Sequence, residues 1–496
     1  MAQGLKSLAK DTAVYGLSSM LGRFLNWCLV PLYTHVFDAG QYGVVTLVYS
    51  VVALLLVLLT YGMETGFFRF ANHERWKDPM EVYTTSLTAL AVSGTLFVAV
   101  VFAGLTTWSR WLDCPSHPSF VAIMGITVAV DAFAGLPFAL LRYRRRSLRF
   151  AALKLAGIGL NIFFNIFFIL LLPRLTRYGW AAWMWVPDFG IGYIFLSNLL
   201  SSVITLTLLL PELRLRWRFN GRLLREMLAY SLPLLVLGLA GIMNQTIDKI
   251  LYPLLVPDHA QAMEGLGIYS ANYKIAIIMV MFLQAFRFAY EPFVFAKHAE
   301  KRADGDLAYS RAMKWFVIFA MFIFLGVMMM LDIVKWFISP AYFSGLKVVP
   351  VVMAAEVCFG IFFNLSVWYK ITDRTVWGSW FSILGLAVTI GLNAWFVPMW
   401  GYMGCAWAAL GCYGTMMLAS WIVGRVKHPI SYDFPSALFY IILSLGLWWG
   451  VRSLTVHLPL GPAVEWTLKV GAVALYALAV AVKERMLLFG TKQAKA

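Results

Sequence analysis

Three charged side chains, Arg23, Asp131 and Glu356, lie deep inside long apolar runs. At the centre of a membrane helix such a charge costs about 2.5–3.5 kcal/mol, so each must face water or a partner. An arginine there suits a phosphate group, because its planar fork binds two oxygens and its charge persists at any working pH. A carboxylate there suits ion coupling, because a bound proton or Na⁺ relieves the cost of an anion in a low-dielectric setting. Asp131 and Glu356 are therefore candidate ion-coupling sites, against the alternative of structural pairing with Arg23 or another cation. Eight more ionisable residues fall in such runs: Glu64, Lys154, Asp248, Lys249, Lys274, Arg287, Glu291 and Lys469. Lys154 and Lys469 are expected to snorkel to the interface. Arg287 and Glu291 have the i,i+4 spacing of a helical ion pair, and with Glu64 they are candidates for a cytoplasmic gate.

Helical spacing gathers the polar residues onto faces. Ser19, Arg23 and Asn26 form one stripe. Asn244 with Asp248, and Gln245 with Lys249, form two adjacent stripes; Tyr273, Gln284, Arg287 and Glu291 share a broad face. Arg23, Asn26, Asn244, Asp248, Lys249 and Lys274 are the candidate substrate-binding set. The competing reading is interhelical hydrogen bonding, worth about 0.6 kcal/mol per contact. Five scattered cysteines form no CxxC pair and no metal-ligand spacing, so no disulfide framework and no metal site are expected. Asp304-Gly305-Asp306 resembles a metal-binding DxD but is expected to be a solvated loop.

The elements that position these residues follow from composition. The chain has 496 residues, 61% hydrophobic and only 13% charged, with a mean hydropathy of +0.76. Soluble domains are about 25% charged, so a soluble enzyme or a disordered regulator is excluded. A span needs about 20 apolar residues. Fourteen are expected, near 12–36, 42–66, 82–108, 119–141, 150–172, 189–210, 227–254, 266–290, 312–332, 347–369, 375–397, 401–424, 434–453 and 463–482. Continuous apolar runs rule out a β-barrel, which needs alternation. The first run carries Arg23 and lacks a cleavage site, so it is not read as a signal peptide.

The formal charge of +16 comes from 40 Lys+Arg against 24 Asp+Glu. With both termini inside, about 28 of the 40 basic residues fall on internal segments, as the positive-inside rule requires. Arg142 to Arg149 and Arg214 to Arg225 are the strongest such signals. This accounts for the charge without nucleic acid. Trp180, Trp183 and Trp185 sit where an external aromatic belt is expected.

The chain also resembles itself. Tyr42-Gly43 and Leu266-Gly267 open two helices 224 residues apart, and Asp131 and Glu356 differ by 225. Six helices per repeat preserve orientation, which gives a six-helix bundle over 1–211, a parallel repeat over 212–424, and two extra helices with a tail over 425–496. Pairing Pro398-Met-Trp-Gly401 with Pro187-Asp-Phe-Gly190 leaves 173–188 as an insertion.

The run Arg23-Phe-Leu-Asn26-Trp-Cys-Leu-Val-Pro31-Leu-Tyr33-Thr34, followed by Gln41-Tyr42-Gly43, resembles the polysaccharide-transporter (Wzx-like) oligosaccharide flippases of bacteria. The resemblance continues at Asp248-Lys249, at Gly267-Ile-Tyr269-Ser-Ala-Asn272-Tyr273-Lys274 and at Glu291-Pro292-Phe293. It implies the all-α fold of the multidrug/oligosaccharidyl-lipid/polysaccharide flippase superfamily, with two six-helix bundles in a V. It further implies that a polyprenyl-diphosphate-linked oligosaccharide crosses the inner membrane by alternating access, for O-antigen, capsule or exopolysaccharide assembly. The implied partners are that substrate, membrane lipids and a polysaccharide polymerase, with H⁺ or Na⁺ as the coupling ion and no cofactor. The chain is thus expected to be a transporter and not an enzyme. A multidrug cation antiporter or a lipid II flippase would share the layout. A membrane glycosyltransferase or O-antigen ligase would need a catalytic loop, and the sequence has none. Six basic and five acidic residues within the spans nearly balance, so no strongly cationic cavity is expected.

Overall fold

A computed structural model describes residues 2–213, 217–299, 305–459 and 461–485. Among the described residues every regular element is helical. The helices that fall on the expected runs are α1 (Ala2–Trp27), α2 (Ala39–Ala71), α3 (Pro79–Ala103), α4 (Pro118–Tyr143), α5 (Ser147–Arg177), α6 (Gly192–Leu208) and α7 (Gly221–Leu255). They continue as α8 (His259–Ala299), α9 (Gly305–Met329), α10 (Val348–Ile371), α11 (Val376–Trp400), α12 (Tyr402–Lys427), α13 (Phe434–His457) and α14 (Pro462–Lys483). Each of the fourteen expected runs therefore holds a helix. Twelve are long and apolar enough to cross a membrane. The other two are α6, with 17 residues, and α1, whose first half carries polar residues. Asp304 and the C-terminal tail from 486 lie outside the described residues, as do Arg214 and Arg216 and the side chains of Ser19 and Asp306.

Packing divides the chain into a first unit, Met1–Ser270, and a second, Ala271–Ala496. The boundary falls within α8 and places α7 in the first unit. There Leu223 and Met227 of α7 join Met63, Phe67, Tyr83, Leu87, Leu136 and Leu140 in one buried cluster. In the second unit the main cluster is aromatic, with Phe362, Trp368, Tyr369, Phe381 and Tyr413 on α10 to α12.

Local breaks shape the first unit. α2 is interrupted at Tyr61 (φ +31°) and Gly62 (φ +70°), two left-handed residues in succession. Only Gly62 adopts that conformation without steric cost. Helix resumes at Met63 with Glu64 in its first turn. α5 loosens into a π-turn over Phe167–Leu171. The basic 142–149 segment is more than a topology signal. Arg144, Arg149 and Arg146 converge on the buried Glu212 at 3.3, 3.2 and 3.9 Å.

In the second unit, polar contacts tie α13 and α14 to α9. The Tyr476 hydroxyl donates to the Ile318 carbonyl at 3.0 Å, and Ser444 donates to Met321 at 3.0 Å. At one end, Lys314 on α9 pairs with the buried Glu484 at 2.8 Å, and the Tyr440 hydroxyl donates to the same carboxylate at 3.1 Å. Removing one member of a buried pair typically costs about 3–5 kcal/mol, because the survivor stays uncompensated. Lys314→Met should therefore lower the unfolding temperature of the detergent-purified protein strongly, and adding Glu484→Gln should recover most of the loss. A double variant no more stable than Lys314→Met would show that the pair itself matters little.

Candidate functional site

A cavity of about 440 Å³ opens within the first unit, lined by α1, α2, α4, α5 and α6. Asp131 sits mid-helix on α4 yet is solvent-exposed, because it borders this cavity. Ser202 on α6 and Lys154 on α5 are its polar neighbours. Lys154 also lies 4.2 Å from the centre of the Phe138 ring. At the cavity's rim Glu64, placed by the break in α2, pairs with Arg142. Arg142 in turn lies over Phe68, 5.2 Å from the ring centre. Asn26, Asn161, Asn198, Ser201 and Thr205 complete the polar lining. Two carboxylates thus face two cations amid amides and hydroxyls. Such a lining can hydrogen-bond a polyhydroxylated group without presenting a net charge.

Of the candidates expected from sequence, Asn26, Asp131 and Glu64 meet in this cavity. Arg23 is exposed on α1 but does not line it. Asp248 is buried on α7, where it accepts from the Tyr269 hydroxyl at 2.8 Å and pairs with Lys249 at 3.0 Å. Asn244 is half-buried one turn away. In the second unit Glu356 is buried and accepts from the Tyr273 hydroxyl at 2.9 Å, beside the half-buried Lys274. The two candidate coupling carboxylates therefore have different surroundings: Asp131 opens to a cavity, and Glu356 accepts from a tyrosine.

One expectation is corrected. Glu291 pairs with Lys370 at 3.2 Å rather than with Arg287, whose guanidinium lies 4.4 Å from the centre of the Phe363 ring. Lys154 and Lys469 each line a cavity, and Lys469 is bonded by Asp332 and Glu465. For Glu291 a partner on another helix outcompetes the i,i+4 neighbour. Sequence reasoning missed Lys154, Asn161, Asn198, Ser201 and Ser202 as cavity residues. The stripe criterion applied to α1 would have found them, since Lys154, Gly157 and Asn161 are spaced by three and four, as are Asn198, Ser201 and Thr205.

At the other end of the first unit the starts of α2 and α8 meet backbone to backbone. A Cβ on Gly43 would lie 2.0 Å from the Met263 carbonyl oxygen, and one on Gly267 would lie 1.8 Å from that of Ala39. Only glycine permits this approach at either position. The helix start is fixed by Asp38, whose carboxylate accepts from the Gln41 amide at 2.8 Å in a capping box.

Residues 8–292 match the family model described as polysaccharide biosynthesis protein. The chain belongs to this family. No curated protein matches it by sequence. In fold it is similar to the lipid II flippase MurJ in an inward closed conformation, 12% identical at a TM-score of 0.74, covering 97% of this chain and 100% of that one. It is also similar to a multidrug resistance MATE family transporter of the MOP superfamily in an inward-facing conformation, 14% identical at 0.65, covering 84% and 94%. The outward-facing conformation of such a transporter matches at 0.57 with 14% identity, covering 84% and 95%. The family match ends near the close of α8, whereas the likeness to MurJ spans nearly the whole chain. The protein is thus a multi-pass membrane protein of the polysaccharide biosynthesis family, with a fold shared by flippases and multidrug transporters.

Proposed function

We propose that this protein is a flippase that moves a polyprenyl-diphosphate-linked oligosaccharide across the bacterial inner membrane by alternating access, coupled to H⁺ or Na⁺. The observation that carries the reading is the polar, charge-balanced cavity within the membrane helices of the first unit. A sugar headgroup needs such a path, because its hydroxyls cannot shed their hydrogen bonds in hydrocarbon without a cost of several kcal/mol each. The family supports a role in polysaccharide synthesis. The family match sets the multidrug reading second. The orientation has both termini in the cytoplasm, and the 1–211 and 212–424 bundles act as the moving repeats. Arg23, Asn26, Asn244, Asp248, Lys249 and Lys274 meet the substrate, Asp131 and Glu356 take the ion, and Glu64, Arg287 and Glu291 act at the cytoplasmic gate. A polysaccharide polymerase receives the product.

The test is reconstitution. Proteoliposomes loaded with lipid-linked oligosaccharide should expose it to an external lectin faster than protein-free vesicles do. Equal exposure in both, with correctly inserted protein and with both proton and sodium gradients tried, would reject the proposal.

A further inference from the structure

The ends of α9, α10, α13 and α14 enclose a separate cavity of about 310 Å³ in the second unit. Its apolar wall is built from Met328, Leu331, Leu346, Trp448 and Val451. Its charged lining comprises Asp332, Lys347, Arg452, Glu465 and Lys469. Lys469 is only 7% exposed and is bonded by both carboxylates. Lys335 adds a second cation to Asp332 at 3.4 Å. The hydrogen bond from Lys469 holds the Asp332 carboxyl below the usual carboxylate range, which favours the charged form. The carboxylates are then matched by Lys469 and Lys335.

Lys347 and Arg452 are left over. Among the described residues their contacts are with rings: Lys347 lies 5.3 Å from the centre of Tyr402, and Arg452 lies 5.8 Å from that of Trp448. Both side chains are exposed. Two unneutralised cations beside an apolar wall, at the ends of membrane helices, match the split chemistry of a phospholipid: a phosphodiester for the cations and acyl chains for the wall.

We propose that this cavity binds the phosphodiester of an anionic bilayer phospholipid through Lys347 and Arg452, with the first acyl segments packed on Met328, Leu346 and Trp448. Size favours this occupant. A volume of about 310 Å³ stands at the low end of small-molecule pockets, about 300–1,000 Å³. That suffices for a phosphoglycerol group and excludes a multi-sugar chain. A lipid seated there bridges α9 and α10 to α13 and α14, extending the polar contacts that already bind those helices.

The full-length protein, purified in detergent, is titrated with phosphatidylglycerol or phosphatidylcholine while its thermal unfolding is followed. Phosphatidylglycerol should raise the wild-type unfolding temperature and phosphatidylcholine should not. Lys347→Gln/Arg452→Gln should weaken the phosphatidylglycerol response at least tenfold, with its unfolding temperature in phosphatidylcholine unchanged as the check on folding. Arg452→Lys should keep part of the response, and Asp131→Asn all of it. A double variant with the wild-type response would overturn the proposal. So would a response that depends on the two cations but arises only with polyprenyl diphosphate, which would assign the site to the carrier. The assay contains no oligosaccharide and no gradient, so its outcome is independent of the transport reading.

Discussion

Gly267→Ala should cut transport about tenfold or more while the protein still inserts and folds. The added methyl would meet the Ala39 carbonyl oxygen at 1.8 Å, and a backbone oxygen cannot step aside as a side-chain end can. The starts of α2 and α8 must separate instead. Overpacking of this kind costs about 1–3 kcal/mol, and each 1.4 kcal/mol is about tenfold in an equilibrium. The penalty falls only on the arrangement in which these two helix starts touch. In the proposed orientation that contact lies at the outer ends of the two helices, and Gly43 and Gly267 are 224 residues apart, the offset of the proposed repeat. Gly43→Ala should therefore reproduce the effect, because its methyl meets the Met263 carbonyl. Spin labels on the exposed Gln41 and Gln261 would report the separation. Both variants should lengthen the distance and lower lectin-detected export together. An unchanged distance with wild-type export would show that the contact is not part of the transport cycle. Lower stability with no change in distance would make it ordinary packing.

The helices were legible because length and apolarity alone decide a span, and that arithmetic needs no knowledge of neighbours. It was weakest where the arithmetic itself is marginal, at the short α6 and the polar α1. The Gly43 and Gly267 landmarks were visible as a repeat, but their contact was not, since close approach of two backbones leaves no periodic signal. The cavity was half legible. Depth in an apolar run identified Asp131, and a polar stripe identified Asn26. Lys154 was assigned to the interface because a long side chain near a helix end can usually escape. What it meets across the cavity, Asp131 on another helix, is tertiary information. Lys469 follows the same logic with Asp332, whereas its other partner, Glu465, is an i,i+4 neighbour on its own helix. Glu291 does too: helical spacing offered Arg287, yet Lys370 on α10 reached it.

Asp131→Asn should abolish the response of transport to an imposed gradient and leave oligosaccharide binding largely intact. The carboxylate stands where hydrocarbon would surround it, but the cavity gives it a polar lining and Lys154 supplies a countercharge. Taking up H⁺ or Na⁺ changes the charge balance of a lining that otherwise holds two carboxylates and two cations. Coupling requires that the ion bind one conformation more tightly than the other, and a lining whose charge balance differs between conformations would meet that requirement. Asparagine keeps the hydrogen bonding but cannot change charge, so the lining stays fixed in one balance. Lys154→Gln removes the countercharge and leaves the carboxylate, so it should shift the pH dependence of transport rather than erase the gradient response. Glu356→Gln is a second arm: Tyr273 already donates to that carboxylate, and a glutamine oxygen can accept the same bond, so folding should survive. Proteoliposomes with imposed pH or Na⁺ gradients read all three variants against the wild type. If Asp131→Asn and Glu356→Gln both still accelerate under a gradient, these carboxylates do not couple transport, and consumption of the flipped glycan would set its direction instead.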